Sequence, residues 1–262
     1  MWGVFMFGVL KIEKRKKGFV NSLKYILNKP SPSLQKITVK NGAPFFILTL
    51  TELKDGEIDC EEVYRILGRC AKRLVIGRDT EIPETDYVGV FKPTLLPYLM
   101  LFNSAVKLSA SFVGESHTGK LTACVIDENG ILKERIIPLI SLFDNIKIIT
   151  DKPRCYDDVS EKILDEWGLP ILITDNYDSA ADCDFIFSPF KVKNAALSNC
   201  AAIRNHDSGA LTRFWGEGIT LPPDYSSFIP ENVDPIIFAS ALYELCGVNA
   251  LASLCFDKMK KI

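Results

Sequence analysis

Carboxylate and hydroxyl side chains follow four short apolar runs in the middle of the chain. Asp127 ends the first run and Glu128 follows it, Asp151 follows the second and Asp175 the third, and Ser188 ends the fourth. Open parallel sheets bind ligands where their strands end, so we predict that these side chains contact a ligand. Asp, Asn and Ser also cap helices and stabilise turns, and that structural role is the alternative for each of them.

A second set of candidate ligand-binding residues lies in the polar loop after the fourth run, and comprises Arg204, His206, Arg213 and Glu217. His206 is one of only two histidines in the chain. Because an unperturbed imidazole titrates near neutral pH, His206 is the candidate proton donor or acceptor if the protein is an enzyme. A turn held by Asn and Asp hydrogen bonds is the alternative interpretation of this loop.

The four apolar runs predict a parallel sheet. Each is rich in β-branched or aromatic residues and too short to form a helix, and they span residues 121–127, 146–150, 170–174 and 184–188. Between the second and third runs, apolar residues recur at helical spacing before Gly168, which predicts a crossover helix. The segment between the first and second runs is also helix-like. This alternation of strands and helices is typical of a doubly wound sheet.

The regions on either side of these runs predict further elements. The dipeptide Asn41-Gly42 favours a two-residue hairpin turn, and Asp59 is placed to cap a helix. Pro235 begins an apolar helix, and a last helix is predicted from Asn249 onward. The predicted fold class is therefore α/β, with a mixed α/β amino-terminal subdomain and a Rossmann-like, parallel-sheet carboxyl-terminal subdomain.

Residues 114–120 match GxxxxGK, the spacing of a phosphate-binding loop. Leu121 stands where that motif needs Ser or Thr, and a strand follows where the motif needs a helix amino terminus. We therefore predict a hinge between two domains at this point. The hinge divides the chain into a mixed α/β subdomain over 1–113 and a Rossmann-like subdomain with carboxyl-terminal helices over 114–262.

Residues 121–204 resemble a dinucleotide-binding Rossmann domain in their strand and helix order and in the acidic Asp151 after the second strand. The resemblance implies a bound NAD(P) whose adenosine ribose contacts Asp151. The chain departs from the family's GxGxxG pattern, because the first strand is followed by Asp127-Glu128-Asn129-Gly130. Carboxylates there oppose a pyrophosphate, although Asn129 and Gly130 remain candidate ligand-binding residues. A Rossmann-like domain without a dinucleotide site is the alternative.

Composition narrows the classes of partner. The chain of 262 residues has a formal net charge of -2, which gives no global basic field and argues against nucleic acid or an anionic membrane surface as partner. Its eight cysteines include no CxxC pair, so we expect reduced thiols in the cytoplasm and no metal site. The ten apolar residues at the start are too few to span a bilayer. Nothing in the sequence indicates an oligomeric state.

These observations predict a cytoplasmic protein that binds a small molecule in a cleft between its two subdomains. Two alternatives stay open. One is a non-catalytic interaction or scaffold protein that has kept a Rossmann-like fold without a cofactor site. The other is an NAD(P)-dependent oxidoreductase, with Asp151 on the ribose and His206 transferring a proton.

Overall fold

The computed structural model describes residues 6–14, 31–53, 57–113, 120–205 and 208–262. His206 lies outside the described residues, as does the predicted hinge motif apart from Lys120. The described chain forms an α/β fold with two compact units, which confirms the predicted fold class. Unit 1 comprises residues 1–97 and 220–252, and unit 2 comprises residues 98–219 and 253–262.

Unit 1 contains a four-stranded mixed sheet in the order β2-β3-β1-β4. Strand β1 pairs in parallel with β3 and with β4, whereas β2 and β3 are antiparallel. The strands are β1 (Gly8–Glu13), β2 (Ser33–Ile37), β3 (Phe45–Thr51) and β4 (Leu74–Ile76). The hairpin predicted around Asn41 is present, but the tight two-residue turn is wrong: the connection runs over residues 38–44, and within it the backbone N–H of Ala43 donates to the carbonyl of Cys246 at 2.7 Å.

Two helices of unit 1 begin where their capping residues predict. In α1 (Cys60–Leu67), a carboxylate oxygen of Asp59 accepts from the backbone N–H of Glu62 at 3.0 Å. The short helix α4 (Pro223–Ser226) precedes α5 (Pro235–Glu244), in which Asp234 accepts from the backbone N–H of Ile236 at 2.8 Å. The apolar side of α5 joins the core through Phe238, which meets Phe45 edge to face at 5.5 Å between ring centroids.

Unit 2 contains a seven-stranded sheet in the order β11-β10-β9-β8-β5-β6-β7. Strands β5 to β8 are mutually parallel, as predicted, and β9, β10 and β11 extend the sheet in antiparallel fashion. The strands are β5 (Thr122–Ile126), β6 (Asn145–Ile149), β7 (Ile171–Thr174), β8 (Phe185–Ser188), β9 (Cys200–Arg204), β10 (Leu211–Glu217) and β11 (Lys258–Lys261).

Connecting segments cover both faces of this sheet. On one face, Phe187 of β8 contacts Phe102 of α2 (Leu96–Val113) and Phe143 of the β5–β6 connection. On the other face, Ile186 packs with Ala180 of the β7–β8 connection. Connections on both faces are what a doubly wound sheet requires.

The helices around this sheet agree only partly with the sequence. The predicted crossover helix is present as α3 (Asp157–Trp167), and Gly168 ends it in a left-handed conformation. The β5–β6 connection instead forms two short 3₁₀ segments, Lys133–Arg135 and Ile137–Ser141, because Pro138 lacks the N–H that a continuous helix needs.

The helix predicted from Asn249 is wrong beyond its first turn. Residues Asn249–Ser253 form a 3₁₀ segment, and the lysine-rich end is strand β11. In that strand Met259 lies opposite Gly216 of β10 and is partly buried, whereas the lysines are exposed, which suits a strand with one face against the protein.

Helix α2 is long and apolar enough to cross a membrane by length and composition. Within unit 2 its contacts are those of a core helix. The ring of Phe102 packs on the sheet, and the amide of Asn103 donates to the carbonyl of Leu254 at 2.9 Å. The hydroxyl of Ser104 accepts from the backbone N–H of Phe256 at 2.8 Å. These polar contacts hold the last segment of the chain against α2.

The two units are discontinuous in sequence, whereas the sequence predicts a division into 1–113 and 114–262. Most of α2 belongs to unit 2, because its side chains pack on the seven-stranded sheet. Residues 220–252 belong to unit 1, because α5 supplies part of that unit's aromatic core.

Candidate functional site

Polar side chains meet at the carboxyl ends of the parallel strands in unit 2. The connections from β5 lead through β6 to β7 on one side, while β8 pairs with β5 on the other side. The ends of β5 and β8 therefore flank the topological switch point, where open α/β sheets bind their ligands. We call the group formed by Asp127, Glu128, Asp151, Tyr177, Ser188 and Lys193 the strand-end site.

Asp127 is the buried carboxylate of this site. One of its carboxylate oxygens accepts from the backbone N–H of Leu132 at 2.6 Å and from the hydroxyl of Tyr156 at 2.7 Å. Burial, and then the charge of Asp127, raise the pKa of Tyr156 far above its usual range, so the hydroxyl stays protonated and donates. The carboxylate thus takes a backbone N–H of the turn after β5, where dinucleotide-binding domains hold phosphates.

Glu128 follows Asp127 in the chain and accepts hydrogen bonds from the segments before and after β8. Its carboxylate accepts a hydrogen bond from the hydroxyl of Tyr177 and another, at 2.8 Å, from the backbone N–H of Lys193. Burial, and then the hydrogen bond with Glu128, raise the pKa of Tyr177. The two contacts tie the end of β5 to the segments before and after β8.

Lys193 lies at the solvent-exposed side of the site, which we call its mouth. Its ammonium group lies 2.8 and 2.7 Å from the two carboxylate oxygens of Asp151, and this hydrogen bonding raises the pKa of the lysine. The lysine side chain is 67% exposed and that of Asp151 is 42% exposed, so solvent screens the ion pair. The charges of Glu128 and Asp175 also act on Lys193. The ammonium group thus contacts one carboxylate and feels the charge of two others.

Two buried atoms at the switch point have no hydrogen-bond partner among the described residues. They are the second carboxylate oxygen of Asp127 and the hydroxyl of Ser188, which ends β8 opposite Cys200. Buried polar atoms are nearly always bonded to protein or to ordered water. A bound water or a polar ligand group at this point would supply the missing partners.

The turn after β5 has a packing requirement of its own. Gly130 adopts a φ of +73°, and a Cβ atom at this position would lie 2.9 Å from the Cβ of Cys155. Its backbone N–H donates to the carbonyl of Asp127 at 3.3 Å. Asn129 is exposed in the same turn. Turn geometry and close packing thus account for the glycine.

Arg204 does not join the strand-end site. Strand β9 runs antiparallel to β8, so Arg204 lies level with Asp184, at the amino-end edge of the parallel strands. Its guanidinium donates to the carbonyls of Cys183, Gly209 and Ala180 at 3.0, 2.9 and 3.3 Å. Arg204 therefore fixes loops at the edge opposite Asp127.

The other candidates of the polar loop are also engaged elsewhere in unit 2. Arg213 donates to the carbonyl of Ser198 at 3.1 Å from its place in β10. Glu217 forms an ion pair with Lys260 of the neighbouring strand β11. Within the described part of the chain, the candidates at the carboxyl ends of the parallel strands thus include Asp127, Asp151 and Ser188, whereas Arg204, Arg213 and Glu217 bond to other groups.

Sequence reasoning did not single out Tyr156, Tyr177 and Lys193 as site residues. The hydroxyl of Tyr156 reaches a carboxylate 29 positions earlier, and Lys193 reaches one 42 positions earlier. The positions of two of them in the sequence could have indicated a role in the site, because Tyr177 and Lys193 follow soon after the ends of β7 and β8. Among the described residues, no group of three or more His, Cys, Asp or Glu side chains could hold a metal ion.

No family model, no curated protein and no solved structure matches the chain. The function of the chain is therefore inferred from the geometry and charge of its own residues.

Proposed function

We propose that unit 2 binds a small molecule carrying a positively charged amine at the strand-end site. The observation that supports this function is the contact of Lys193 with both carboxylate oxygens of Asp151. A ligand ammonium group offers the same charge and the same donors as this lysine. The lysine side chain is mostly exposed and flexible, so it can swing into solvent and leave its place to the ligand.

The charge of the site favours a cation. Glu128, Asp151 and Asp175 act on one lysine, which leaves an excess of negative charge at the mouth. An incoming ammonium group gains from this excess, and a phosphate does not. Because the mouth is open to solvent, the affinity should fall as salt is added.

Two contacts weigh against the NAD(P)-dependent oxidoreductase implied by the resemblance to dinucleotide-binding domains. The carboxylate of Asp127 occupies the backbone N–H of Leu132 after β5, where a pyrophosphate would be held. Asp151, the counterpart of the residue that binds ribose, is engaged with Lys193. A dinucleotide would have to break both contacts and would bring negative charge to an acidic mouth.

One observation favours the alternative of an interaction protein without a ligand. The described hydrogen bonds of Asp127, Glu128 and Asp151 are all made within the chain, so these three carboxylates have partners without a ligand. That alternative predicts no competition between Lys193 and an added amine.

Isothermal titration calorimetry with 1,4-diaminobutane, and with neutral 1-butanol as control ligand, tests the proposal. Asp151→Asn should weaken binding of the diamine about twofold to fivefold, as expected for a solvent-exposed ion pair. Lys193→Ala should strengthen binding, because it removes the internal ammonium group that competes for the same oxygens. Lys191→Ala, a change of an exposed lysine two positions away, should have no effect.

The proposal fails if the diamine does not bind, or if Lys193→Ala binds it no more tightly than the unchanged protein. A thermal-shift titration with NADH and NADPH addresses the oxidoreductase in the same samples. A nucleotide present at one hundred times its dissociation constant would stabilise the fold by about 2.7 kcal/mol. We expect no such shift.

A further inference from the structure

Unit 1 contains a cavity of about 490 Å³, which is in the size range of small-molecule sites. Lys72, Arg73 and Lys92 line it together with one carboxylate, that of Glu244. The lining is therefore more cationic than anionic, opposite in sign to the strand-end site of unit 2. The sequence offers no motif for this cavity, because its walls come from three separate parts of the chain, residues 72–73, 90–95 and 244–245.

The one carboxylate of the lining, that of Glu244, accepts hydrogen bonds from residues 94–96. One oxygen of Glu244 accepts from the backbone N–H groups of Leu95 and Leu96 at 2.9 and 3.0 Å. The other accepts from the backbone N–H and the hydroxyl of Thr94 at 3.0 and 2.7 Å. With four neutral donors on its carboxylate, Glu244 is held in place and has few acceptor sites left for the ammonium groups of the cavity, and the three cations of the lining still outnumber its single negative charge.

The wall that carries two of the cations is fixed by backbone hydrogen bonds. The N–H of Gly89 donates to the carbonyl of Ala71 at 3.0 Å, and the N–H of Leu74 donates to the carbonyl of Gly89 at 2.8 Å. The N–H of Phe91 then donates to the carbonyl of Leu74 at 2.8 Å. These bonds hold the backbone of Lys72 and Arg73 against residues 89–91, so the wall exists before a ligand arrives.

The remaining lining is apolar. Val90, Phe91, Leu95 and Leu245 supply hydrocarbon surface beside the charged groups. A ligand that suits both parts has an anionic head group and a short apolar body. Inorganic phosphate satisfies only the first requirement, and a neutral alcohol satisfies only the second.

We propose that this cavity binds a small organic carboxylate whose head group contacts Lys72 and Lys92 and whose apolar body lies on Phe91 and Leu245. Lys92 is restrained by a competitor, since its ammonium group lies 2.8 Å from a carboxylate oxygen of Glu84. Glu84 is not part of the lining. Removing its charge frees Lys92 for the ligand and leaves the cavity wall unchanged.

Hexanoate is the probe, with 1-hexanol and inorganic phosphate as comparison ligands, and the dissociation constant is measured by calorimetry on the full chain. Lys72→Ala and Lys92→Ala should each weaken hexanoate binding about twofold to fivefold. Glu84→Gln should strengthen it by a similar factor. Lys133→Ala, a change of an exposed lysine in unit 2, should leave it unaltered.

A second measurement locates the bound probe. In amide-detected NMR of the unchanged protein, hexanoate should shift the signals of Val90, Phe91 and Leu245. The proposal is overturned if hexanoate does not bind, if 1-hexanol binds as tightly, or if the signals that move belong to unit 2. It is also overturned if the lysine variants bind no more weakly and Glu84→Gln binds no more tightly than the unchanged protein.

Discussion

At the scale of single residues, the most consequential contact is the one between two buried groups, Tyr156 and Asp127. Tyr156→Phe keeps the ring in place but leaves a buried carboxylate with one donor fewer. We expect a loss of about 1–3 kcal/mol in the free energy of unfolding, the cost of an unsatisfied buried polar group. Urea denaturation followed by circular dichroism measures this change.

Tyr177→Phe is the matched control in the same site. Tyr177 is only partly buried, and Glu128 keeps the backbone N–H of Lys193 and access to water. Tyr177→Phe should therefore lower the free energy of unfolding by less than about 1 kcal/mol. Equal losses for the two variants would show that the buried position of Asp127 does not set the cost.

At the scale of elements, strand β10 depends on a position without a side chain. A Cβ atom on Gly216 would lie 1.9 Å from a ring carbon of Phe256, which is itself buried. Gly216→Ala should destabilise the fold by about 1–3 kcal/mol, because the ring has to move. In a Phe256→Ala background the same substitution should cost much less, and a double-mutant cycle by urea denaturation measures the difference. An equal cost in both backgrounds would assign the effect to the backbone of β10.

The elements also show what the sequence could predict. The parallel strands could be predicted because each is a short apolar run bounded by polar residues, a pattern that the local sequence shows, and β5 and β8 are buried along nearly their whole length. The capping of α1 by Asp59 was equally local, since donor and acceptor lie three positions apart. Strand β11 was missed because its pairing with β10 joins segments far apart in the chain, and its lysines suit a helix end equally well.

The strand-end site was predictable in part for the same reason. The carboxylates at the ends of β5 and β6 follow from strand boundaries, which the sequence shows. Their partners do not, because the contact of Asp151 with Lys193 depends on the tertiary path of the chain after β8. Arg204 lies at the edge opposite Asp127 because β9 runs antiparallel to β8. The residues within β9 do not indicate that direction.

At the scale of the whole molecule, the eight cysteines differ in how deeply the two units bury them. All are free thiols; Cys155 is exposed, and most of the others are buried. Burial raises the pKa of Cys70, of Cys200 and, to about 12, of Cys246. A raised pKa lowers the fraction of thiolate, which is the reactive form, at any pH below it.

Alkylation of the folded protein by iodoacetamide at pH 8 should therefore modify Cys155 first and leave Cys70, Cys200 and Cys246 unmodified. All eight thiols should react once guanidinium unfolds the chain, since unfolding restores both access and the ordinary pKa. Peptide mass spectrometry after timed quenching measures the order, and Cys155→Ser should remove the fastest product. Early modification of Cys246 in the folded protein would contradict its burial in unit 1, whereas early modification of Cys200 would contradict the packing of β9 in unit 2.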